Sequence, residues 1–391
     1  MKDRVMICLA TGQSDCNLLP ILSSKFQPQK VCLLCTPEMK EEAAFFKDAL
    51  NGRTEVDIVE LGTSDEIGRI QDTLMEVVGR YENKVVMNIT GGKKTMTIAA
   101  FNVCSAVAIP FFYLDLKTFN VFYFENNQSG AVVEPRVENI QYDIKNNKGN
   151  LKIFLKARKI VAEDLHEWQQ PTDDEKEYFD FIMKCRNSSE SEVILKGLRI
   201  LNKYASKSAA DPKNRNVVSV EREDRTDFGF NEICDELEKL EFLLPSESSL
   251  IKFKNHETAE FLAGKWFEKY CAMVFKNLFP QLPIFHGEMF ITGQTKNEFD
   301  LVFLKDSKIF IGEVKASHLS EESPKHSPII YKLDSLKNSV GGKSSQACLI
   351  SLDEVNNEIK GRCKTNKIFC IDKVLGRVDI LEKQIKEWLK K

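Results

Sequence analysis

The sequence predicts an α/β protein built in three parts, and three observations predict it. Between residues 4 and 124, short apolar runs alternate with amphipathic stretches, the pattern of a doubly wound, mostly parallel sheet. Between 173 and 204, apolar residues recur at helical spacing. Between 298 and 315, two apolar runs flank Lys305-Asp306-Ser307-Lys308, which reads as a tight hairpin connection. The parts are placed at residues 1–140, 141–250 and 251–391.

In the first part, strands are expected at 4–10, 30–35, 55–61, 84–89, 110–114 and 120–124. Helices are expected at 38–50, 65–81 and 96–108. Ligands of such sheets sit beyond the carboxyl ends of the strands. Two polar loops lie there. One is Thr11-Gly12-Gln13-Ser14-Asp15-Cys16-Asn17, and the other is Asn88-Ile89-Thr90-Gly91-Gly92-Lys93-Lys94-Thr95. Paired glycines let backbone amides approach an anion, and the following helix N-terminus favours negative charge. A tight turn without ligand is the alternative. Neither this loop nor Gly341-Gly342-Lys343-Ser344 is a Walker A motif, because Met87 and Lys337 stand where the pattern needs its first glycine.

Residues 125–160 read as connecting loops and short strands, 205–215 as an exposed loop, 231–242 as a short helix and 243–253 as a wing-like hairpin. The middle part is thus helical or winged-helix-like. Glu232, Asp235, Glu236, Glu238 and Glu241 crowd its short helix, which favours a linker over a DNA reader.

The third part opens with a helix over 256–279. Glu260, Gly264 and Glu268 lie four apart on one face, and Gly264 is expected to let the helix approach a sheet closely. In the hairpin, a two-residue Asp306-Ser307 loop sets Lys305 against Lys308, Asp300 against Glu313 and Glu298 against Lys315. Alternation puts these last four on one face. Facing carboxylates repel, and a metal ion between them removes that penalty. Oxygen ligands suit Mg²⁺ or Mn²⁺, and Lys315 points at the same place, where it would stabilise a transferring phosphoryl group. The alternative is an exposed hairpin with an ordinary Glu298–Lys315 salt bridge. A polar loop over 317–327, a helix over 329–339, strands over 347–352 and 366–371, and a last helix ending at Trp388 follow. His286, His318 and His326 show no ligand spacing.

Composition sets bounds. The chain has 391 residues, 42% hydrophobic and 29% charged, enough for two or three domains. Its formal net charge is −3, so nucleic-acid contact needs a local patch. Residues 305–391 carry 17 Lys and Arg against 12 Asp and Glu. No apolar run reaches the ~18 residues of a membrane span, and the N-terminus is too short for a signal peptide. Eleven cysteines show no disulfide framework. Cys32-x-x-Cys35 falls on opposite strand faces, as core rather than zinc ligands. A reducing cytoplasm fits.

The spacing Asp300-x12-Glu313-Val314-Lys315 resembles the PD-(D/E)xK nuclease signature. The stretch Leu262-Ala-Gly-Lys-Trp266-Phe-Glu268-Lys-Tyr270 resembles the first helix of that fold, whose glutamate reaches the metal. Asn88-Ile-Thr-Gly-Gly-Lys-Lys-Thr95 after a central strand, with the early polar loop, resembles a CARF domain, the Rossmann-like sensor of CRISPR ancillary proteins. That resemblance implies a homodimer binding a cyclic oligoadenylate across its two-fold axis. Gly12, Ser14 and Asn17 would contribute from the first loop, and Thr90, Gly91, Gly92, Lys93 and Thr95 from the second. Lys94 departs from the usual Thr-Lys arrangement. Together the resemblances imply a type III CRISPR nuclease activated by cyclic tetra-adenylate, cutting DNA or RNA with Mn²⁺ or Mg²⁺. Glu268, Asp300, Glu313 and the Val314 carbonyl would hold the metal, and Lys315 would position water or stabilise charge. Two other classes fit less well: a ligand-responsive DNA-binding regulator without catalysis, and a nuclease whose first part only dimerises.

Overall fold

The computed structural model describes residues 4–390 apart from 63–65, 83, 126–133, 163–164, 185–187, 211–215, 293–294, 317–318, 320–326 and 342–344. The expectations for Gly342, Lys343, Ser344, His318, His326 and nearly all of the 317–327 loop lie outside the described residues.

The N-terminal part alternates as its sequence implies, except that Asp15, Cys16 and Asn17, expected in the first polar loop, open a helix that buries its whole length, Asp15–Leu22. Its elements are β1 (Val5–Leu9), α1 (Asp15–Leu22), β2 (Lys30–Cys35), α2 (Lys40–Ala49), β3 (Glu55–Glu60), α3 (Ile67–Arg80), β4 (Val85–Asn88), α4 (Lys94–Ala106), β5 (Phe111–Asp115), β6 (Asn120–Phe124) and β7 (Arg136–Asn139). The sheet order is β3-β2-β1-β4-β5-β6-β7. The first five strands are parallel and the last two antiparallel. β1 and β4, each buried along its whole length, are neighbours at the point where strand order reverses. The crevice of such a sheet opens beyond their carboxyl ends, where both polar loops lie. Cys32 and Cys35 are buried in clusters on opposite faces of β2.

The chain then forms α5 (Lys148–Lys156) and β8 (Ile160–Ala162). The Asn- and Gly-rich start that reads as loop is the helix start itself: Asn147 caps it by accepting from the Asn150 amide at 2.8 Å. One hydrophobic cluster runs from Met6 and Val31 through Phe154 and Leu155 of α5 to Phe285, Val302 and Leu349. The N- and C-terminal sheets therefore share a core.

Next come α6 (Asp173–Met183), α7 (Ser188–Ala210), β9 (Val217–Ser219), α8 (Phe228–Lys239), β10 (Leu243–Leu244) and β11 (Leu250–Phe253). Residues 205–210 are helix, not loop, because Ala205 and Ser208 continue the buried stripe of Leu201 and Tyr204; residues 211–215 lie outside the described set. β9 joins the hairpin to make a three-stranded sheet in the order β10-β11-β9, a winged-helix-like unit.

The C-terminal part contains α9 (His256–Glu260), a π-helical segment (Phe261–Lys265), α10 (Trp266–Leu278), β12 (Phe285–Thr292), β13 (Thr295–Lys305), β14 (Lys308–Lys315), α11 (Ser327–Val340), β15 (Ser345–Ser351), α12 (Asn357–Thr365), β16 (Ile368–Ile371) and α13 (Val378–Trp388). The sheet order is β16-β15-β14-β13-β12-β8. The hairpin pairs Lys305 with Lys308 and Leu301 with Gly312, the register its two-residue loop requires. Asp306 and Ser307 have φ of 50° and 64°, as a type I′ turn needs. The turn is not exposed. Ser307 is fully buried, its hydroxyl donating to the Gln141 carbonyl at 2.8 Å, and the Lys308 ammonium lies 5.6 Å from the centre of the Phe119 ring. The N-terminal part thus holds one end of this hairpin, and the carboxylates sit at the other.

Candidate active site and ligand-facing loops

The end of the β13–β14 hairpin gathers the charged residues that the sequence singles out. Asp300 and Glu313 are buried at 5% and 4% exposure. Lys315 lies 3.3 Å from Asp300 Oδ2 and 2.8 Å from Glu313 Oε1, so it pairs with both carboxylates, where the alternative reading pairs it with Glu298. The Val314 amide donates to Asp300 Oδ2 at 2.6 Å. The N–H and C=O of one strand residue leave by the same edge, so the Val314 carbonyl also faces the Asp300 side. The neighbouring Lys315 carbonyl turns the other way and accepts from Leu352.

Glu268 enters from the first turn of α10. Burial, and next the Asp300 charge, push its carboxyl up to about 8. Burial, and next Glu313, push Asp300 up to about 6. For Lys315, burial alone would lower the ammonium, but Asp300, Glu313 and Glu268 outweigh it and hold the group above its usual range. The site crowds three carboxyl groups together, with Lys315 between two of them. That donor set, all carboxylate and carbonyl oxygen, fits a hard divalent cation. Among the described residues no three His, Cys, Asp or Glu side chains stand close enough together to hold a metal ion as they are, so the expected Glu268–Asp300–Glu313 set is not assembled.

Gly264 differs from expectation. A side-chain carbon there would meet nothing within 4 Å, so close approach to the sheet is not its role. Its φ of 149° breaks the helix at the π-helical segment, a conformation that side chains disfavour. The kink starts α10 afresh at Trp266, two residues before Glu268.

At the crevice beyond β1 and β4 the two loops lock together. Gly91 is tightly enclosed, since an added Cβ would lie 2.6 Å from the Leu9 carbonyl oxygen, and Gly92 turns with φ of 80°. Asn17 is buried, donating to Leu9 O at 2.9 Å and accepting from Asn88 at 2.9 Å. The Thr90 hydroxyl accepts from the Leu114 amide at 2.8 Å. Asn17, Thr90 and Gly91 therefore shape the loops from within. Gly12 and Lys93 are exposed, and Thr95 is half-buried in the first turn of α4. Ser14 is 6% exposed, and its hydroxyl has no partner among the described residues. Together with Asp15, Arg158, Asn338 and Ser339, it lines a cavity of 410 Å³ between the first loop, α2 and the end of α11.

Two family models match. Residues 5–156 match the Card1 CARF domain, and residues 255–391 match the Card1-like endonuclease domain. The chain thus pairs a CARF domain of the Card1 kind with a Card1-like endonuclease domain. Solved structures share its fold. Can2 from Sulfobacillus thermosulfidooxidans in complex with cyclic tetra-adenylate superposes with a TM-score of 0.76 at 23% identity, covering 99% of both chains. Protein VC1899 from Vibrio cholerae gives 0.79 at 16% identity, covering 99% of this chain and 98% of that one. A type III CRISPR defence DNA nuclease activated by cyclic oligoadenylate gives 0.53 at 13% identity, covering 94% of this chain and 52% of that one. No curated protein matches in sequence.

The structure also shows residues beside these two places that spacing alone does not reveal. Lys332 on α11 reaches within 3.6 Å of Glu313 Oε2. A helix over 329–339 with Ile330 and Leu333 facing inward implies that Lys332 flanks the core face, a weak signal on its own. Asp15 and Arg158 form a buried ion pair across 143 residues, which no local pattern encodes.

Proposed function

We propose that this CARF endonuclease works as a homodimer that binds cyclic tetra-adenylate and then cuts DNA or RNA with Mn²⁺ or Mg²⁺, in type III CRISPR defence inside the cytoplasm. The observation that carries the catalytic half is the buried Asp300–Glu313–Lys315 constellation with Glu268 beside it. Asp300, Glu313, Glu268 and the Val314 carbonyl would hold the ion. When bound, such an ion polarises a phosphoryl oxygen and lowers the pKa of water. Lys315, a fixed cation at the strand end, is placed to stabilise charge developing on the phosphate.

The sensing half rests on two loops meeting at the β1/β4 switch point, with exposed Gly12 and Lys93 at their rims. Gly12, Ser14 and Asn17, and Thr90, Gly91, Gly92, Lys93 and Thr95, would shape or touch the ring. Can2, whose structure holds cyclic tetra-adenylate, supports that ligand by its shared fold. Met75 on α3 and Ile98 and Phe101 on α4 are large exposed apolar side chains on two packed helices, which suits a second copy of the chain. Ligand binding acts by favouring one arrangement of the dimer, and the buried hairpin turn at Ser307 gives that arrangement a mechanical hold on the site. The acidic α8 offers no support for a DNA-reading regulator. No helix among the described residues is long and apolar enough to cross a membrane.

Calorimetric titration with cyclic tetra-adenylate tests the sensing half. Wild type should bind at one ring per dimer, and Lys93→Ala and Thr95→Ala should bind more weakly. Absence of wild-type binding, or unchanged affinity in both variants, would contradict the assignment.

A further inference from the structure

The active site has a flank that its catalytic chemistry does not use. α11 follows the strand carrying Glu313 and Lys315 and buries Ile330 and Leu333 against the sheet. Between them, Tyr331 is 63% exposed, far too open to contribute to the core. It is not loose, however. The Arg362 guanidinium of α12 sits 5.4 Å from its ring centre, and Glu358 fixes that guanidinium through a 2.6 Å hydrogen bond. One ring face is therefore propped by a cation and the other is open. The next residue, Lys332, sends its half-exposed ammonium to within 3.6 Å of Glu313. An aromatic plane backed by arginine, one residue from a lysine at the carboxylates, has the chemistry of a nucleotide contact. Aromatic faces stack unpaired bases, arginine adds a cation–π term, and lysine holds phosphate.

We propose that Tyr331, propped by Arg362, is a stacking subsite for the nucleobase next to the cut phosphate, with Lys332 holding that nucleotide's backbone. The subsite commits its occupant to an unstacked base on a polyanionic strand, consistent with the basic excess of residues 305–391. It rests on the nuclease reading of the neighbouring carboxylates.

The test uses full-length protein with cyclic tetra-adenylate and EDTA. The probes are short single-stranded DNA and RNA oligonucleotides carrying 2-aminopurine at successive positions. Wild type should change the fluorescence at one or two adjacent positions. Tyr331→Ala should abolish that change and weaken binding by about tenfold, the scale of losing one stacked base. Tyr331→Phe should retain both, and all three proteins should melt alike because the side chain is exposed. An unaltered fluorescence response in Tyr331→Ala, or a loss in Tyr331→Phe as large as in Tyr331→Ala, overturns the subsite. If wild type also cuts nucleic acid with Mn²⁺, only the subsite falls. A wild type that neither binds these probes nor cuts removes the nuclease reading together with it.

Discussion

Asp300→Asn separates a metal site from a structural charge pair, because the two readings predict opposite signs. Burial and Glu313 raise the Asp300 carboxyl from 3.8 to about 6 even with Lys315 alongside. At about 1.4 kcal/mol per pH unit, ionising it in the folded protein costs about 3 kcal/mol more than in the unfolded chain. Asparagine is neutral and keeps an oxygen for the Val314 amide, so it should recover most of this, about 1–3 kcal/mol. The pH dependence fixes the cause. Below about pH 4 both states of the wild type are protonated, and the variants should be equally stable. Between about 4 and 6 the folded wild type holds a proton that the unfolded chain has released, so its stability falls as pH rises. The advantage of Asp300→Asn should grow through that window and stay level above it. Thermal melts in EDTA would show a gain of about 1–4 °C at pH 8. With Mn²⁺ at a hundredfold excess over Kd, the wild type should gain about 2.7 kcal/mol, and Asp300→Asn much less. An Asp300→Asn protein that melts lower in EDTA at pH 8, or that keeps the full Mn²⁺ shift, would refute the site.

Other substitutions probe separate links. Lys315→Ala should lower cutting by about a hundredfold or more without altering cyclic tetra-adenylate affinity by calorimetry; wild-type cleavage rates would contradict its role. Ser307→Ala together with Lys308→Ala removes the hairpin's hold on Gln141 and Phe119. That pair should bind the ring normally yet need more of it for half-maximal cutting, and an unchanged activation curve would rule out this route. Asp15→Asn leaves Arg158 buried without its counter-charge, which should cost about 3–5 kcal/mol in denaturant unfolding. A loss under 1 kcal/mol would mean that water reaches the pair.

The legible parts of the fold are those where local rules suffice. Strands β1, β2 and β4 are short runs, apolar and buried over nearly all of their length, and the two-residue turn at Asp306 and Ser307 fixes which residues face each other. Asp300, Glu313 and Lys315 follow directly from that register. What stayed hidden depends on partners distant in sequence. The three residues of β8 gain their meaning only by pairing with β12, and Arg158 only by meeting Asp15. α12 buries just Ile359 and Cys363 among charged neighbours, too thin a stripe to read. At the sensor loops the residue types were visible but not their direction: Asn17 and Thr90 turn inward to hold the turn, while Lys93 faces out.

The central claim is that ligand at the sensor switches on metal-dependent cutting at the Asp300–Glu313–Lys315 site. Purified protein incubated with supercoiled DNA, single-stranded DNA and RNA, with and without Mn²⁺ and with and without cyclic tetra-adenylate, tests it most directly. Cleavage should require both additions and vanish in Glu313→Gln. Cutting without the ring, cutting in EDTA, or cutting that survives Glu313→Gln would contradict it.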